Sequence, residues 1–206
     1  NRGVGIAESR MAAEWDYLRG SPDYAYDLEL APGRSGVLLA SYSPKLFERH
    51  AAVWRYDPSQ VHDDGWREVL RVEGARGVTL VTFDRRRPAV AYAGVAGKRG
   101  GIYRSADGGE TWWELDGSFT FATIHELAID PRDEDTVYAA PWGGGLFRSA
   151  DRGMTWEVLD APTVSVAAIL VDPRDSDRLV IGDRTRPALY ASQDRGRSWL
   201  ELVALP

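Results

Sequence analysis

Short alternating runs of apolar and polar residues return in the same order along this chain. Residues 124–130 are apolar enough for an inner strand, and residues 136–140, 146–150 and 156–159 read as three more. Alternation over four to eight residues marks a half-buried strand. The breaks between runs are turn-formers, Asp130-Pro131-Arg132-Asp133 and Pro141-Trp142-Gly143-Gly144-Gly145. The same unit returns with strands at 166–171 and 178–181, a hairpin over 189–202, a turn at 172–175 and a loop at 182–187. It occurs before that with strands at 78–83 and 89–93, a turn at 84–88 and a hairpin over 102–115. A degenerate copy opens the series, with strands at 26–30, 37–40, 53–56 and 66–70 and a long connection over 41–52. Upstream, residues 5–9 and 14–18 read as the two outer strands of yet another unit. Their Ala, Glu, Met and Leu content also allows a helix over 7–18.

The last hairpin of each regular unit turns on one motif, S-x-D-x-G-x-[TS]-W. It occurs as Ser105, Asp107, Gly109, Thr111, Trp112; as Ser149, Asp151, Gly153, Thr155, Trp156; and as Ser192, Asp194, Gly196, Ser198, Trp199. The chemistry suits a turn. The Asp carboxylate accepts N–H groups just downstream, as in an Asx-turn, and the Gly supplies a positive φ without a Cβ clash. The hydroxyls satisfy further backbone groups. The Trp begins the outgoing strand and covers the turn; its burial contributes at most about 4–6 kcal/mol. In the degenerate first unit a longer turn at 57–65 stands in place of the motif.

The ladder Trp66, Trp112, Trp156, Trp199 advances by 46, 44 and 43 residues. Four short strands in a period of that size are a propeller blade. The expected fold is therefore an all-β propeller of four-stranded antiparallel blades: half a blade at 1–20, then full blades at 21–72, 73–117, 118–161 and 162–206. Four and a half blades do not close a ring, so the chain reads as a segment of a larger propeller of about seven blades. An open arc leaves an apolar flank, which favours self-association or pairing with the remaining blades.

Composition narrows the function classes. The chain is 44% hydrophobic and 27% charged, with eight Trp and nine Tyr, which suits a β-rich globular core. A net charge of −6 disfavours nucleic acid and anionic membranes as partners. The longest apolar runs, such as 164–171, are strand-length, so no membrane insertion is expected. There is no cysteine, which excludes disulfides, thiolate metal sites and Cys nucleophiles and leaves the compartment open. The chain opens on Asn1-Arg2-Gly3, and its native start is expected to lie upstream. No cofactor and no metal are expected. His50, His62, Asp63 and Asp64 fall on loops assigned to different faces, and the motif lacks the alternating carboxylates of a calcium loop.

The three motif copies, with Ile129-Asp130-Pro131-Arg132-Asp133 leading into Val137-Tyr138-Ala139, resemble Asp-box repeats, also called bacterial neuraminidase repeats. The likeness covers 78–202 well and 26–70 weakly. It is closer to the propellers of xyloglucanase-like glycosidases and sortilin-type receptors than to photosystem assembly factors. The resemblance implies a propeller fold but spans enzymes, receptors and assembly factors, so the function must come from the site. It also implies that the box residues are structural and lie away from the usual active site.

The opposite face carries the loops between blades and those joining second and third strands. Its ligand-binding candidates are Tyr24, Tyr26, Arg76, Lys98, Arg99, Phe119, Phe121, His125, Trp142, Arg184 and Arg186. Aromatic rings beside polar groups suit sugar stacking or peptide capture, and Trp142, flanked by glycines, leads the set. Each also reads as loop surface or blade packing. The arginine cluster, Tyr–Glu pair and acid of a sialidase cannot be assembled from these residues. A glycosidase pair needs two carboxylates across a cleft, and Asp23, Asp27 and Glu126 lie near the right strand ends. The favoured expectation is a non-catalytic platform binding carbohydrate or protein. The alternative is part of a glycoside hydrolase completed by further blades.

Overall fold

A computed structural model describes residues 7–10, 14–17, 25–33, 36–42, 50–60, 65–115, 119 and 122–204. Every element among them is a β-strand. A two-stranded antiparallel hairpin, β1 (Ala7–Arg10) and β2 (Glu14–Tyr17), comes first, so the strand reading holds there over the helical one. Four four-stranded antiparallel sheets follow, each built from consecutive strands. Sheet one holds β3 (Ala25–Leu30), β4 (Leu38–Tyr42), β5 (His50–Tyr56) and β6 (Trp66–Glu73). Sheet two holds β7 (Ala75–Phe83), β8 (Ala91–Gly97), β9 (Gly101–Ser105) and β10 (Trp113–Glu114). Sheet three holds β11 (Ile124–Ile129), β12 (Val137–Pro141), β13 (Leu146–Ser149) and β14 (Glu157–Leu159). Sheet four holds β15 (Val166–Asp172), β16 (Asp175–Asp183), β17 (Ala188–Ser192) and β18 (Leu200–Ala204).

The sheets stack in order, and the core lies between them. Val81 and Phe83 of β7 bury against Leu39, Ala51 and Val53 of sheet one. Leu127 and Ile129 of β11 meet Tyr92, Ile102 and Leu115 of sheet two. Ile169 and Val171 of β15 meet Tyr138, Leu146 and Leu159 of sheet three. Each first strand thus packs on the preceding sheet, and the motif tryptophans Trp112, Trp156 and Trp199 close the edges of those three clusters. The tryptophans do not begin the outgoing strands. Each sits one residue ahead of its strand, because its indole N–H turns back to the carbonyl of Gly109, Gly153 or Gly196 at 3.1, 2.9 and 3.2 Å.

The turns themselves repeat atom for atom. In the second copy the Asp151 carboxylate accepts the Ser149 hydroxyl, the Thr155 N–H and the Thr155 hydroxyl at 2.7, 2.8 and 2.6 Å. The Ser149 hydroxyl accepts the Gly153 N–H at 2.7 Å. Gly153 has φ +89°, and a Cβ there would lie 2.6 Å from Leu115 of the preceding sheet, so the glycine serves both the turn and a close approach. The residue before it is also left-handed: Arg152 at φ 65° and Arg195 at φ 60°. Their ion pairs, Arg152 with Asp135 at 2.5 Å and Arg195 with Asp177 at 2.8 Å, help hold that unfavoured backbone.

Candidate functional site

Hydrogen bonds separate the two ends of the stack. At one end the motif turns lie on the turns between first and second strands: the Arg152 N–H reaches the Asp135 carbonyl, and the Arg195 N–H reaches the Asp177 carbonyl. At the other end the loops between second and third strands are tied to the segments entering the first strands. The Trp142 N–H donates to the Thr123 carbonyl, the Arg184 N–H to Ser165 and the Gly145 N–H to Val164, the last bridging two sheets. Trp142 and Arg184 therefore occupy matching places on neighbouring sheets.

Their side chains meet. The Arg184 guanidinium lies 4.6 Å from the Trp142 ring centroid, a cation–π contact. The His125 ring meets Trp142 edge-on with centroids 5.6 Å apart. Burial, and then the Arg184 charge, lower the pKa of His125 below the usual histidine value, so the ring is neutral at pH 7. Trp142 nonetheless stays 63% exposed. The large indole is thus held by an arginine and a histidine, yet open to solvent.

Bulges set the residues beside it. Each first strand slips register near its start, between Ala25 and Leu28, Val78 and Leu80, Ile124 and Glu126, and Val166 and Ala168. A bulge re-aims a side chain. The residues caught in these include Asp27, Thr79 and His125. Thr79 donates its hydroxyl to the Ile124 carbonyl of the next sheet. Glu126 follows its bulge; burial, with the Asp27 charge adding to it, pushes its carboxyl up to about 7. Asp27 is engaged by backbone: one oxygen accepts the Val81 N–H of the next sheet at 2.9 Å and the other accepts the Leu28 N–H at 3.0 Å. That ties β3 to β7 and leaves Asp27 poorly placed to attack or to move a proton.

The remaining candidates divide. Arg76, Lys98 and Arg99 are exposed, as is Tyr26 on β3. Arg186 is exposed but committed to its own sheet, with its Nε 3.4 Å from Asp183 and its guanidinium over Tyr190 at 5.4 Å. Phe119 is a correction. It is 5% exposed and packs edge-to-face on Phe147 and Trp156, so its ring belongs to the core between sheets two and three. Asp23, Tyr24, Phe121, His62, Asp63 and Asp64 lie outside the described residues. His50 begins β5 and stacks on Tyr42 with centroids 5.6 Å apart. Among the described residues no group of three or more His, Asp or Glu could hold a metal. Sequence reasoning missed the bulges; at Asp27, Thr79 and His125 a polar residue near the strand start marks them, and at Ala167 nothing does.

A family model described as "Sortilin, neurotensin receptor 3" matches residues 100–204. No curated protein matches. Among solved structures, the GH74 xyloglucanase from Xanthomonas campestris aligns at TM-score 0.69 and 20% identity, over 89% of this chain and 31% of that one. The GH74 enzyme from Niastella koreensis aligns at TM-score 0.56 and 14% identity, over 87% and 38%. YCF48 bound to D1 peptide aligns at TM-score 0.55 and 20% identity, over 92% and 53%. The chain thus spans about a third of the first enzyme's length. At these identities the likeness is one of fold, a β-propeller.

Proposed function

We propose a binding role for this chain, which belongs to the Sortilin-Vps10 family: a non-catalytic propeller platform that takes a protein or carbohydrate ligand on its loop face. The observation that carries this reading is the exposed Trp142 ring, fixed by Arg184 at 4.6 Å and by His125 at 5.6 Å. Exposed Trp and Arg are the residue types that dominate binding energy at interfaces. A ring already held in place loses little side-chain freedom when a ligand arrives. A peptide ligand is favoured over a glycan. Arg184 offers a guanidinium to a carboxylate or backbone carbonyl, and a propeller of like fold is known bound to a peptide.

The test is a selection of binders from a peptide display library and a glycan array against the folded chain. Each hit is then measured against Trp142→Ala and Arg184→Ala. Truncating a hot-spot Trp costs 2 kcal/mol or more, a loss of about 30-fold. Hits whose affinity ignores both substitutions would overturn the assignment of the site.

A second reading, part of a glycoside hydrolase, draws support from Glu126 alone. A buried carboxyl pushed up to about 7 retains a proton near neutrality, as a general acid must. Its natural partner Asp27 is taken by backbone N–H groups, and that argues against the pair. Hydrolysis of xyloglucan or a β-glucan that disappears in Glu126→Gln would favour this reading over ours.

A further inference from the structure

The loop face carries unpaired charge of one sign, although the chain as a whole bears −6. Arg76 at the start of β7, Lys98 and Arg99 between β8 and β9, and Arg184 between β16 and β17 are all exposed. None of the four enters an ion pair among the described residues. Carboxylates at this end are largely occupied. Asp183 takes the Thr185 N–H and hydroxyl at 2.7 and 2.8 Å and pairs with Arg186, and Glu73 pairs with Arg71 at 3.4 Å. Glu114 and Asp160 are exposed, and against them stand the four free cations. The opposite end sets its arginines against carboxylates instead: Arg87 with Glu134 at 2.6 Å, Arg152 with Asp135 at 2.5 Å and Arg195 with Asp177 at 2.8 Å.

The free cations sit on segments that touch one another. The Gly100 N–H closes a tight turn on the Gly97 carbonyl at 2.8 Å, with Lys98 and Arg99 at its tip. One flank of that turn rests on Arg76: a Cβ on Gly97 would lie 3.1 Å from the Arg76 Cγ. The other flank rests on the segment entering β11, where a Cβ on Gly100 would collide with the Ala122 carbonyl oxygen. The next residue, Thr123, accepts the Trp142 N–H at 2.8 Å, and Arg184 lies over the Trp142 ring. Val164, whose carbonyl accepts the Gly145 N–H at 3.0 Å, is 65% exposed. Two exposed apolar side chains, Trp142 and Val164, thus have Arg76, Lys98 and Arg99 on the side of sheet two and Arg184 on the side of sheet four.

We infer that the ligand of the loop face is an acidic peptide. Its apolar side chains meet Trp142 and Val164, and its carboxylates meet Arg184 on one side and Arg76, Lys98 and Arg99 on the other. The inference rests on the binding role proposed for this face, and adds the sign of the ligand's charge and the residues that read it. Guanidinium groups pair with carboxylates through charge-assisted hydrogen bonds, and an arginine stacked on an indole is already oriented for one. Complementary charge around an interface speeds encounter and rejects partners of the wrong sign. Two carboxylates at the strand starts oppose the cations only in part. Asp27 accepts two backbone N–H groups, and Glu126, pushed up to about 7 by burial and then by the Asp27 charge, is half-protonated at neutral pH. A peptide suits the face better than a sulfated glycan, because the cations are spread over three segments around an apolar centre rather than gathered in one cluster.

The experiment is a selection from a display library of random short peptides on the folded chain and, in parallel, on a variant carrying Arg76→Glu, Lys98→Glu and Arg99→Glu. Glutamate keeps the Cβ and Cγ that pack on Gly97, and circular dichroism checks that the variant keeps its sheets. Peptides retained by the native chain are expected to be richer in Asp and Glu than the input library, and those retained by the variant are not. The tightest of the former should bind the variant at least about 10-fold more weakly. Its affinity for the native chain should fall about 10-fold between about 50 and about 500 mM salt. Replacing the same three residues with Gln should give an intermediate loss. Peptides that depend on Trp142 but show no acidic bias overturn the inference and leave the binding role of the face intact. Acidic peptides that depend on the three cations yet bind Trp142→Ala as tightly as the native chain uphold the charge reading and overturn Trp142 as its centre. A chain that retains no peptide, or that retains only sulfated glycans on an array, overturns it.

Discussion

The hairpin turn of sheet one and those of sheets two to four do the same work by different means. Both reverse the chain ahead of a tryptophan at the sheet edge. In the regular sheets a serine, an aspartate and a threonine or serine close a private network, and the indole N–H is satisfied within the turn. In sheet one Asp57 takes the Ser59 N–H and hydroxyl at 2.9 and 2.6 Å and pairs with Arg55 at 3.0 Å. The Trp66 indole N–H is buried and has no partner among the described residues. A cleft of about 300 Å³ lined by Arg55, Asp57, Trp66, Arg67 and Glu110 remains where the other turns close. Arg55 and Arg67 reach across it to Glu110 of the next sheet. The regular turn thus satisfies its own Asp, Ser and indole groups and touches its neighbour through single polar contacts, such as the Tyr92 hydroxyl on the Arg152 carbonyl at 3.2 Å, whereas the irregular one depends on charges shared between two sheets.

Substitutions break this contrast in order of size. Gly153→Ala forces a Cβ to 2.6 Å from Leu115 at φ +89° and is expected to cost about 2–4 kcal/mol in urea unfolding. Gly33→Ala in the turn after β3, at φ +100° with nothing within 4 Å among the described residues, should cost only about 1 kcal/mol. Equal costs would show that sheet packing plays no part in the glycine's role.

Asp151→Ala removes three acceptor contacts and should cost about 1–3 kcal/mol, whatever the salt concentration. Asp57→Ala should cost less, about 1 kcal/mol, and that cost should shrink in 1 M salt as the Arg55 pair is screened. A salt-dependent cost at Asp151 would erase the distinction. Acid should act on the regular turns together. Hydrogen bonds from the Ser198 hydroxyl and N–H and from Ser192 hold Asp194 down to about 2. Asp107 and Asp151 are also lowered, burial opposing and their Thr and Ser hydrogen bonds prevailing. Carboxyls depressed on folding stabilise the fold above the ordinary Asp range, and that stabilisation is lost as pH falls through their folded values.

Glu126 titrates in the opposite sense. Its folded value of about 7 exceeds the ordinary 4.5, so the folded chain binds the extra proton and stability falls as pH rises from about 4.5 to about 7. Glu126→Gln should leave stability at pH 4 unchanged and raise it at pH 8 by about 1–2 kcal/mol, the partial exposure of the group discounted. No difference at pH 8 would show that the carboxyl is not held in an unfavourable setting. Trp142→Ala comes last, with a stability change within about 0.5 kcal/mol for an exposed ring.

Legibility in the sequence follows the same division. The repeating parts were readable because their chemistry is local. An Asp, a Gly and a Trp at set spacing specify a turn, and apolar alternation specifies the strands around it. Even the degenerate first sheet was readable from its alternation, although β5 begins at His50, earlier than the 53–56 run suggests. The loop face was less readable because its geometry is not local. Trp142 stood out by its glycine neighbours, but its contact with Arg184 depends on two loops 42 residues apart meeting across a sheet boundary. Phe119 misled because an aromatic residue in a loop looks the same in sequence whether it faces solvent or Trp156. Asp27 looked catalytic because nothing in its neighbours reveals that the Val81 N–H is its partner.

The central claim is that the repeating turns hold the fold while the loop face holds the ligand. Its most direct test measures stability by urea unfolding and affinity for a selected binder, side by side, in Trp142→Ala and Asp151→Ala. The account predicts that Trp142→Ala loses about 30-fold in affinity at unchanged stability, and that Asp151→Ala loses about 1–3 kcal/mol of stability at unchanged affinity. The reverse pattern, affinity lost at Asp151 and stability lost at Trp142, would contradict it.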